Sequence, residues 1–324
     1  MTVELKDRFD PGIFKNYESL LQSRKWIPCE NHIGKVDPLT ISSWLERMTI
    51  ERLELKSGFV LDTLSVNKNN WEETCYQQLA RNFGFYTNSL PFEILARSIP
   101  LNIAGKHKDQ VKQLEALLFG SAGLLNQKLI DSYGVQLQSE YEFLKKKYAL
   151  VSMSPGQWKF LRLRPSNFPT VRIAQLAQLL HKTGSLFSLI LEKEDLKDFE
   201  SIFSVGVGVS EYWTNHYTFD RLSPTHPKLL GGSAKMNILI NTVVPLLFAY
   251  GRFNNEEKYK NRAVRFLEEI PPEENVVISQ WKALGITVDN SARTQALLHQ
   301  KNTYCNLKKC LFCSVGNKII NTIP

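Results

Sequence analysis

Three cysteines near the C-terminus have a spacing that suits metal ligation. Cys305, Cys310 and Cys313 follow one another in the pattern Cys-x4-Cys-x2-Cys. Cysteine thiolates hold iron-sulfur clusters, and zinc accepts either four cysteines or three cysteines and a histidine. Because three thiolates leave such a site incomplete, the pattern predicts a fourth ligand elsewhere in the chain.

Two remote cysteines and two histidines are candidates for the fourth position. Cys75 lies on the apolar face of a predicted helix, where a small thiol packs naturally into a core. Cys29 lies in the sequence WIPCENH, a proline-containing link with polar neighbours, which suits a ligand. His32 or His299 could complete a zinc site. We therefore predict an iron-sulfur cluster or a zinc ion at Cys29, Cys305, Cys310 and Cys313.

The alternative interpretation is that the cysteines are unligated core residues. The N-terminal sequence MTVELKDRFDPG is charged and has no apolar segment typical of a signal peptide, which predicts a cytoplasmic protein. Disulfides are rare in that compartment. Metal ligation, catalysis and core packing therefore remain as the roles open to the cysteines.

A second segment, WKFLRLRPSNFPTVR, indicates binding of an anion. Arg162 and Arg164 are separated by one residue, and in an extended stretch before Pro165 they would project from one face while Leu161 and Leu163 turn inward. Guanidinium groups bind phosphates and carboxylates through paired hydrogen bonds. The candidate anion-binding residues are Lys159, Arg162, Arg164 and Arg172.

The competing interpretation of this segment is structural. Arg162 and Arg164 could pair with internal carboxylates, such as those of Glu115 or Glu140, and join helices. In that case their substitution would weaken the fold rather than the binding of a ligand.

The elements that position these residues are predicted to be helices. Apolar residues recur at helical spacing along most of the chain, and sustained strand alternation is scarce. Several helix starts have a capping residue, followed by proline in two cases: Asp10-Pro11, Asp37-Pro38, Asn70 with Glu73, and Asn290-Ser291. We predict a mainly α fold, a large packed array of many helices with little or no sheet.

No linker rich in proline or serine divides the chain. The loops around Pro165 and residues 223–232 are the candidate boundaries, and we predict a single helical domain over residues 1–324 with a cysteine-containing tail at 291–324. The most apolar stretch, Met236 to Tyr250, contains polar residues and Pro245 and falls short of the roughly 20 residues that a bilayer span needs. It is therefore predicted to be a buried helix, kinked near Pro245.

Four longer strings resemble the bacterial family called domain of unknown function 2851. They are QLEALLFGSAGLL, WKFLRLRPSNFPTVRIAQLA, INTVVPLLFAYG and YCNLKKCLFCSVGN. The family has no established activity. Typical members have a further N-terminal region that looks like a metal-dependent nuclease segment, and the resemblance implies that this chain begins after it.

Composition and charge leave two hypotheses about function. The net charge of +8 makes an acidic partner plausible, either nucleic acid or an acidic protein domain, and nothing indicates a membrane partner. No self-contained catalytic motif occurs, so an enzymatic activity is not predicted from this chain. The first hypothesis is a metal-stapled module that binds nucleic acid beside a nuclease-like region in longer relatives. The second is a structural or protein-interaction scaffold without a nucleic-acid ligand.

Overall fold

The computed structural model describes residues 10–205 and 208–322. Helix accounts for 69% of the structure, which confirms the predicted mainly α class. In chain order the helices are α1 (Pro11–Gln22), α2 (Pro38–Val66), α3 (Trp71–Phe83), α4 (Phe85–Ser98), α5 (Leu101–Gly105), α6 (Val111–Ser121), α7 (Ser132–Tyr148), α8 (Pro169–Lys182), α9 (Leu186–Glu192), α10 (Leu196–Val205), α11 (Glu211–Thr214), α12 (Gly232–Ile238), α13 (Val244–Asn254), α14 (Glu257–Glu269), α15 (Val276–Ala283), α16 (Ser291–His299) and α17 (Ser314–Thr322).

Shorter elements connect these helices. Two short strands, β1 (His216–Thr218) and β2 (Arg221–Leu222), pair antiparallel. Single turns of 3-10 helix occur at Ile33–Lys35, Pro155–Gln157, Pro165–Asn167 and Cys310–Phe312, and π-helical segments at Leu239–Val243 and Gln300–Cys305.

Capping residues start several helices where the sequence predicts them. The Asp10 carboxylate accepts from the Gly12 N–H at 2.7 Å, ahead of α1. The Asn70 side chain accepts from the N–H of the third helical residue of α3, and the Asn290 side chain does the same for α16. Each cap satisfies an N–H that has no partner within the helix, so the local sequence determines where these helices begin.

The chain divides into two compact units. Unit 1 comprises Met1–Ser57 and Val264–Pro324, and unit 2 comprises Gly58–Ala263. The divisions fall inside α2 and α14 rather than at the loops that the sequence offered as boundaries. The single-domain organisation stays a prediction.

The core of unit 1 is built by α1, the first part of α2, and the three C-terminal helices α15 to α17. Indole rings lie at its centre, where Trp281 packs edge to face against Trp26 and Trp44 at centroid distances of 5.1 and 5.8 Å. Four of the five cysteines are buried in this same core. Packing of this core therefore brings the thiols of Cys29, Cys305, Cys310 and Cys313 into one buried region.

Unit 2 is organised around helix pairs. Helix α3 packs along α4, and α6 packs against both α7 and α8. Aromatic rings fill the space between α6 and the segment that follows α10, where Phe119 stacks on Trp213 at 4.9 Å. The loop that leads into α8 therefore lies beside a well-packed group of helices, α6, α7 and α8.

One helical stretch of the described residues, Gly232–Asn254, is long and apolar enough to cross a membrane by length and composition alone. In the structure 67% of its most apolar window is buried inside the protein. Core helices of soluble proteins meet the same criterion, and the predicted burial of Met236 to Tyr250 is confirmed for most of its residues.

The irregularity of this stretch lies just before the proline. Residues Leu239–Val243 are π-helical, and α13 begins at Val244. Pro245 has no N–H for the carbonyl of Asn241, four residues earlier. The side chain of Asn82 on α3 compensates, because its Nδ2 donates to that carbonyl at 2.9 Å and to the Thr242 hydroxyl at 2.9 Å. A neighbouring helix therefore supplies the hydrogen bond that the proline removes.

Asn82→Leu is expected to destabilise the protein by about 1–3 kcal/mol, because the Asn241 carbonyl loses a donor in a partly buried position. Urea unfolding measures the change. Asn254→Leu is the matched control, since Asn254 donates to the Tyr250 carbonyl at 3.1 Å from an exposed position, and we expect a loss below about 0.5 kcal/mol there. Equal losses in the two variants would contradict this account of Asn82.

Candidate metal centre and basic loop

Cys29 lies in the tightly turned link between α1 and α2. Its carbonyl accepts from the N–H of His32 at 2.9 Å and from that of Ile33 at 3.0 Å. Ile27 and Ile33 on either side are buried in the core of unit 1. These contacts fix the backbone of the link and turn the Cys29 side chain inward.

Cys305, Cys310 and Cys313 lie on a compact turn that we call the knuckle, defined as residues 305–316. Cys305 ends a π-helical segment, and Cys310 begins a 3-10 turn that leads into α17. A Cβ atom on Gly316 would lie 2.4 Å from the carbonyl oxygen of Cys310. The knuckle can close this tightly only because residue 316 is glycine.

The structure brings together the four cysteines chosen from the sequence. They are all buried in one apolar cluster of unit 1, which we call the cysteine cluster: Cys29, Cys305, Cys310 and Cys313. Lys301 joins the link to the knuckle side of this cluster, since its Nζ donates to the Trp26 carbonyl at 2.5 Å. Segments far apart in the sequence therefore meet at these sulfurs.

Hydrogen-bond donors point at two of the sulfurs. The Gln300 Nε2 group donates to the Sγ atoms of Cys305 and Cys313 at 3.4 and 3.3 Å. The Gln300 side chain is itself fixed, because its Oε1 accepts from the Trp44 indole at 3.0 Å. Backbone N–H groups of Val315 and Gly316 also bond to Cys313. Such donors stabilise a thiolate more than a neutral thiol.

The electrostatics of the cluster reflect burial and mutual proximity. Burial raises the pKa of the Cys305 thiol to about 12. Burial also raises the pKa of Cys29 well above its ordinary range, and the nearby charges of the other three cysteines add to the increase. The raised pKa values mean that the thiols stay protonated in the absence of a cation. A metal ion at the cluster would instead favour the thiolates, since metal binding to cysteine displaces the thiol proton.

Three basic side chains lower the cost of forming thiolates. Lys301 lowers the pKa of Cys305, Lys308 that of Cys310, and Arg47 that of Cys313, although burial dominates at each sulfur. Four thiolates around a divalent ion would leave net negative charge. The positive charges of Lys301, Lys308 and Arg47 would offset part of that charge.

The sulfurs as placed do not form a finished coordination site. Among the residues that the structure describes, no three His, Cys, Asp or Glu side chains stand in an arrangement that could hold a metal ion. Ligation by the cysteine cluster would require the sulfurs to turn toward a common centre. A cysteine has a single side-chain torsion, so a change of rotamer is enough to redirect its sulfur.

The other ligand candidates are placed differently. His299 is buried, its Nδ1 lies 3.3 Å from the Thr303 hydroxyl, and its Nε2 lies 3.6 Å from the Glu51 carboxylate. His32 is half-buried beside Cys29. Cys75 belongs to the core of unit 2. Cys29 lies in the same buried cluster as the three knuckle cysteines, and its role as the fourth ligand stays a prediction.

The segment before α8 forms a basic loop in unit 2, defined as residues 159–164. It is anchored by Trp158, whose indole donates to the Ala122 carbonyl at 2.8 Å. The Asn88 side chain also bonds to both the N–H and the carbonyl of Lys159, at 2.9 and 3.0 Å. The loop backbone is therefore fixed while the side chains of Lys159, Arg162 and Arg164 are exposed.

The predicted extended conformation of this loop is wrong. Arg162 has a positive φ of 63°, and a turn joins the Leu163 N–H to the Phe160 carbonyl at 3.2 Å. Leu161, which the sequence placed inward, is 84% exposed. A tight turn breaks the alternation of side chains that an extended stretch would have.

The predicted partners of the two arginines are occupied by other groups. Glu115 accepts hydrogen bonds from Tyr133 and Ser210, and Glu140 accepts from Gln113. Within residues 10–205 and 208–322, neither Arg162 nor Arg164 forms an ion pair with a carboxylate. Both guanidinium groups are therefore open to an external anion.

Arg172 is placed beneath the surface, unlike the other three basic residues. It is 5% exposed, and its guanidinium donates to Asn167 at 2.6 Å and to Gln175 at 2.9 Å while lying over the Phe85 ring. Burial lowers its pKa to about 10. Arg172 thus joins the 3-10 turn that follows the basic loop, through Asn167, to the body of α8.

Sequence reasoning missed two residues of the cysteine cluster's surroundings. Gly316 follows Cys313 by three residues, and a glycine so close to paired cysteines is a signal of a tight backbone approach. Gln300 had no such signal, because a glutamine within a helical pattern is ordinary. Its role follows only from the π-helical segment that turns it toward the sulfurs.

The fold and the two sites define a mainly α protein with a buried four-cysteine cluster in one unit and an exposed basic loop in the other. The chain belongs to the family described as protein of unknown function DUF2851, whose model matches residues 1–276. The matched range includes Cys29 and the basic loop and ends before the knuckle. No curated protein and no solved structure matches the chain.

Proposed function

We propose that this chain is a helical nucleic-acid-binding module whose unit 1 is stapled by a metal ion or iron-sulfur cluster. The observation that supports it best is the gathering of the cysteine cluster in one buried site, where the Gln300 amide donates to two of its sulfurs. The role proposed for the bound group is structural, because four thiolates complete its coordination and leave no open position for a substrate.

The staple joins the link after α1 to the C-terminal knuckle, across most of the chain. Closing so long a loop restricts the unfolded ensemble, and binding of a structural metal is coupled to folding. Metal analysis and the visible absorption spectrum of anaerobically purified protein distinguish the two occupants, since an iron-sulfur cluster is coloured and zinc is not. Protein that contains neither group would overturn the staple.

The basic loop supports contact with a phosphate backbone. Arg162 and Arg164 present guanidinium groups from a fixed backbone, and Lys159 adds a third cation. Charged side chains bind nucleic acid by displacing counterions, so the affinity falls as salt rises. The net charge of +8 acts in the same direction at longer range.

Arg162→Ala combined with Arg164→Ala is expected to weaken binding of a fluorescent oligothymidylate of about 16 nucleotides. Loss of two phosphate contacts should also reduce the slope of log affinity against log salt by roughly 1.4, since each contact with a single strand contributes about 0.7. Fluorescence anisotropy over a salt series measures both quantities, and circular dichroism checks the fold.

Lys146→Ala combined with Lys147→Ala is the matched control, because it removes the same charge from the exposed face of α7. An equal loss in that variant would mean that only the net charge matters. An arginine variant that unfolds would support the structural interpretation of the segment. A wild-type chain that binds no oligonucleotide, even at low salt, would favour an interaction scaffold that meets an acidic partner domain.

A further inference from the structure

The knuckle exposes three large apolar side chains between buried cysteines. Leu307 is 59% exposed, Leu311 46% and Phe312 72%, whereas Cys305, Cys310 and Cys313 are buried. Exposed apolar residues that occur singly need no explanation, but three on one turn form a patch that indicates an interaction site.

The backbone that presents these side chains is well fixed. The Lys309 N–H donates to the Tyr304 carbonyl at 3.0 Å, and the Phe312 N–H donates to the Lys309 carbonyl at 3.2 Å. At the base of the turn, the Asn317 N–H donates to the Cys313 carbonyl at 2.7 Å. A ligand that contacts this surface would lose little energy in ordering it.

The charged side chains of the C-terminal segment that carries the patch have one sign. No Asp or Glu follows Asp289 in the sequence, whereas Lys301, Lys308, Lys309 and Lys318 all lie in that part. Lys309 is exposed next to the patch. Of the carboxylates on the packed elements, Glu51 is bound by Arg47 and Tyr304, and Glu18 on α1 is exposed. The patch therefore complements a ligand that is both apolar and anionic.

We propose that the knuckle is a stacking surface for the bases of single-stranded nucleic acid, with Phe312 as the stacking ring and Lys309 beside a phosphate. The proposal rests on the proposed function. It adds a second contact site, in unit 1, and it specifies that the nucleic acid bound there is single-stranded. Every base has a flat π face, so one exposed ring on a basic turn binds single strands with little dependence on sequence. The area of three side chains corresponds to one or two bases. Binding to a lipid surface usually takes a larger area, such as the whole apolar face of an amphipathic helix.

Substitutions at Phe312 test the stacking. With the same oligothymidylate of about 16 nucleotides, Phe312→Ala is expected to reduce the affinity about 10-fold, which is within the range for loss of one stacked base. Phe312→Trp should keep the affinity, because it keeps a π face. Phe312→Leu should lose nearly as much as the alanine variant, although it keeps apolar area.

Phe143→Ala is the matched control, since Phe143 is a 61% exposed aromatic beside lysines on α7 of unit 2. It should leave the affinity unchanged, and the metal content of each variant should equal that of the wild type. The affinity for a fully paired duplex should change little in Phe312→Ala, because the bases of a duplex are not available for stacking on the protein.

Several outcomes would overturn the stacking surface. Retention of affinity in Phe312→Ala, while the double arginine variant still loses it, would remove this inference and leave the proposed function standing. A leucine variant as good as the wild type would indicate simple apolar docking. Binding of phosphatidylserine vesicles that depends on Phe312, without oligonucleotide binding, would assign the patch to a membrane. A fall from dimer to monomer in Phe312→Ala would assign it to a second copy of the chain.

Discussion

A Cys29→Ala variant is expected to retain no more metal than a Cys310→Ala variant. Cys29 comes from a link near the N-terminus, yet its sulfur lies in the same buried cluster as the three knuckle cysteines. Removing any one thiolate from a four-cysteine centre leaves it incomplete. Metal content per chain, measured on variants purified in parallel under anaerobic conditions, gives the comparison, with metal-sulfur distances of roughly 2.3 Å expected in the intact zinc or iron site.

Cys75→Ala is the control, because Cys75 is equally buried but belongs to the core of unit 2. It should keep the full metal content and lose only on the order of 1 kcal/mol in stability through the lost packing. A Cys29→Ala protein with wild-type metal content would exclude Cys29 as a ligand, and His32→Ala would then be the next variant to measure.

The loss of metal should also lower thermal stability by a large amount. If the staple contributes even about 4 kcal/mol, its removal lowers the melting temperature by roughly 6 °C in a chain of 324 residues that unfolds as one unit. The effect should appear equally in Cys29→Ala, in Cys310→Ala and in wild-type protein treated with a chelator. A chelated wild type that melts at the unchanged temperature would contradict a structural role for the bound group.

The helical fold could be predicted from the sequence because its determinants are local. Apolar spacing and capping residues such as Asp10 and Asn290 act within one or two turns, and the structure begins the helices there. The proximity of Cys29 to the knuckle is a different kind of prediction, since it joins distant segments. Cys29 could be chosen over Cys75 because Cys29 has polar neighbours in a proline-containing link, whereas Cys75 lies on the apolar face of a helix.

The conformation of the basic loop could not be predicted in the same way. Arg162 adopts a positive φ although it is not glycine, and no local sequence pattern predicts that conformation at an arginine. Asn88 and Ala122, which are distant in the sequence, bind the backbone of Lys159 and the indole of Trp158 and so fix the start of the loop. Tertiary contacts of that kind override the alternation that the sequence alone favours.

The burial of Arg172 was missed for a related reason. Arginine is rarely buried unless it is paired, so a basic residue near two others is naturally interpreted as part of one surface. The structure instead places its two terminal guanidinium nitrogens on the amides of Gln175 and Asn167 and its plane over the face of Phe85. These partners are neutral, and sequence patterns of opposite charge cannot reveal them.

Glu115 is expected to make the stability of unit 2 depend on pH near neutrality. Its carboxyl group is fully buried on α6 and accepts hydrogen bonds from the hydroxyl groups of Tyr133 and Ser210, the latter at 2.8 Å. Burial raises its pKa from 4.5 to about 7, although these hydrogen bonds and Lys112 act in the opposite direction. The folded protein therefore binds a proton at this group over a pH range in which the unfolded chain has released it.

The sign of the effect follows from proton binding in the two states. Because the folded state holds the proton more tightly, the free energy of unfolding falls as pH rises from about 4.5 to about 7 and then becomes constant, with a total loss on the order of 3 kcal/mol from this group. Glu115→Gln keeps a side chain of the same shape, which can still accept from Tyr133, and it removes the ionisation. Its free energy of unfolding should therefore exceed that of the wild type by more at about pH 8 than at about pH 5.

Urea unfolding of wild type and variant at the two pH values measures this difference directly. Glu142→Gln serves as the control, because Glu142 is an exposed carboxylate on α7. Its removal should leave the change between the two pH values as it is in the wild type. If Glu115→Gln shows the same pH dependence as the wild type, then the buried carboxyl is already ionised in the folded protein, and the hydrogen bonds from Tyr133 and Ser210 outweigh the cost of burying its charge.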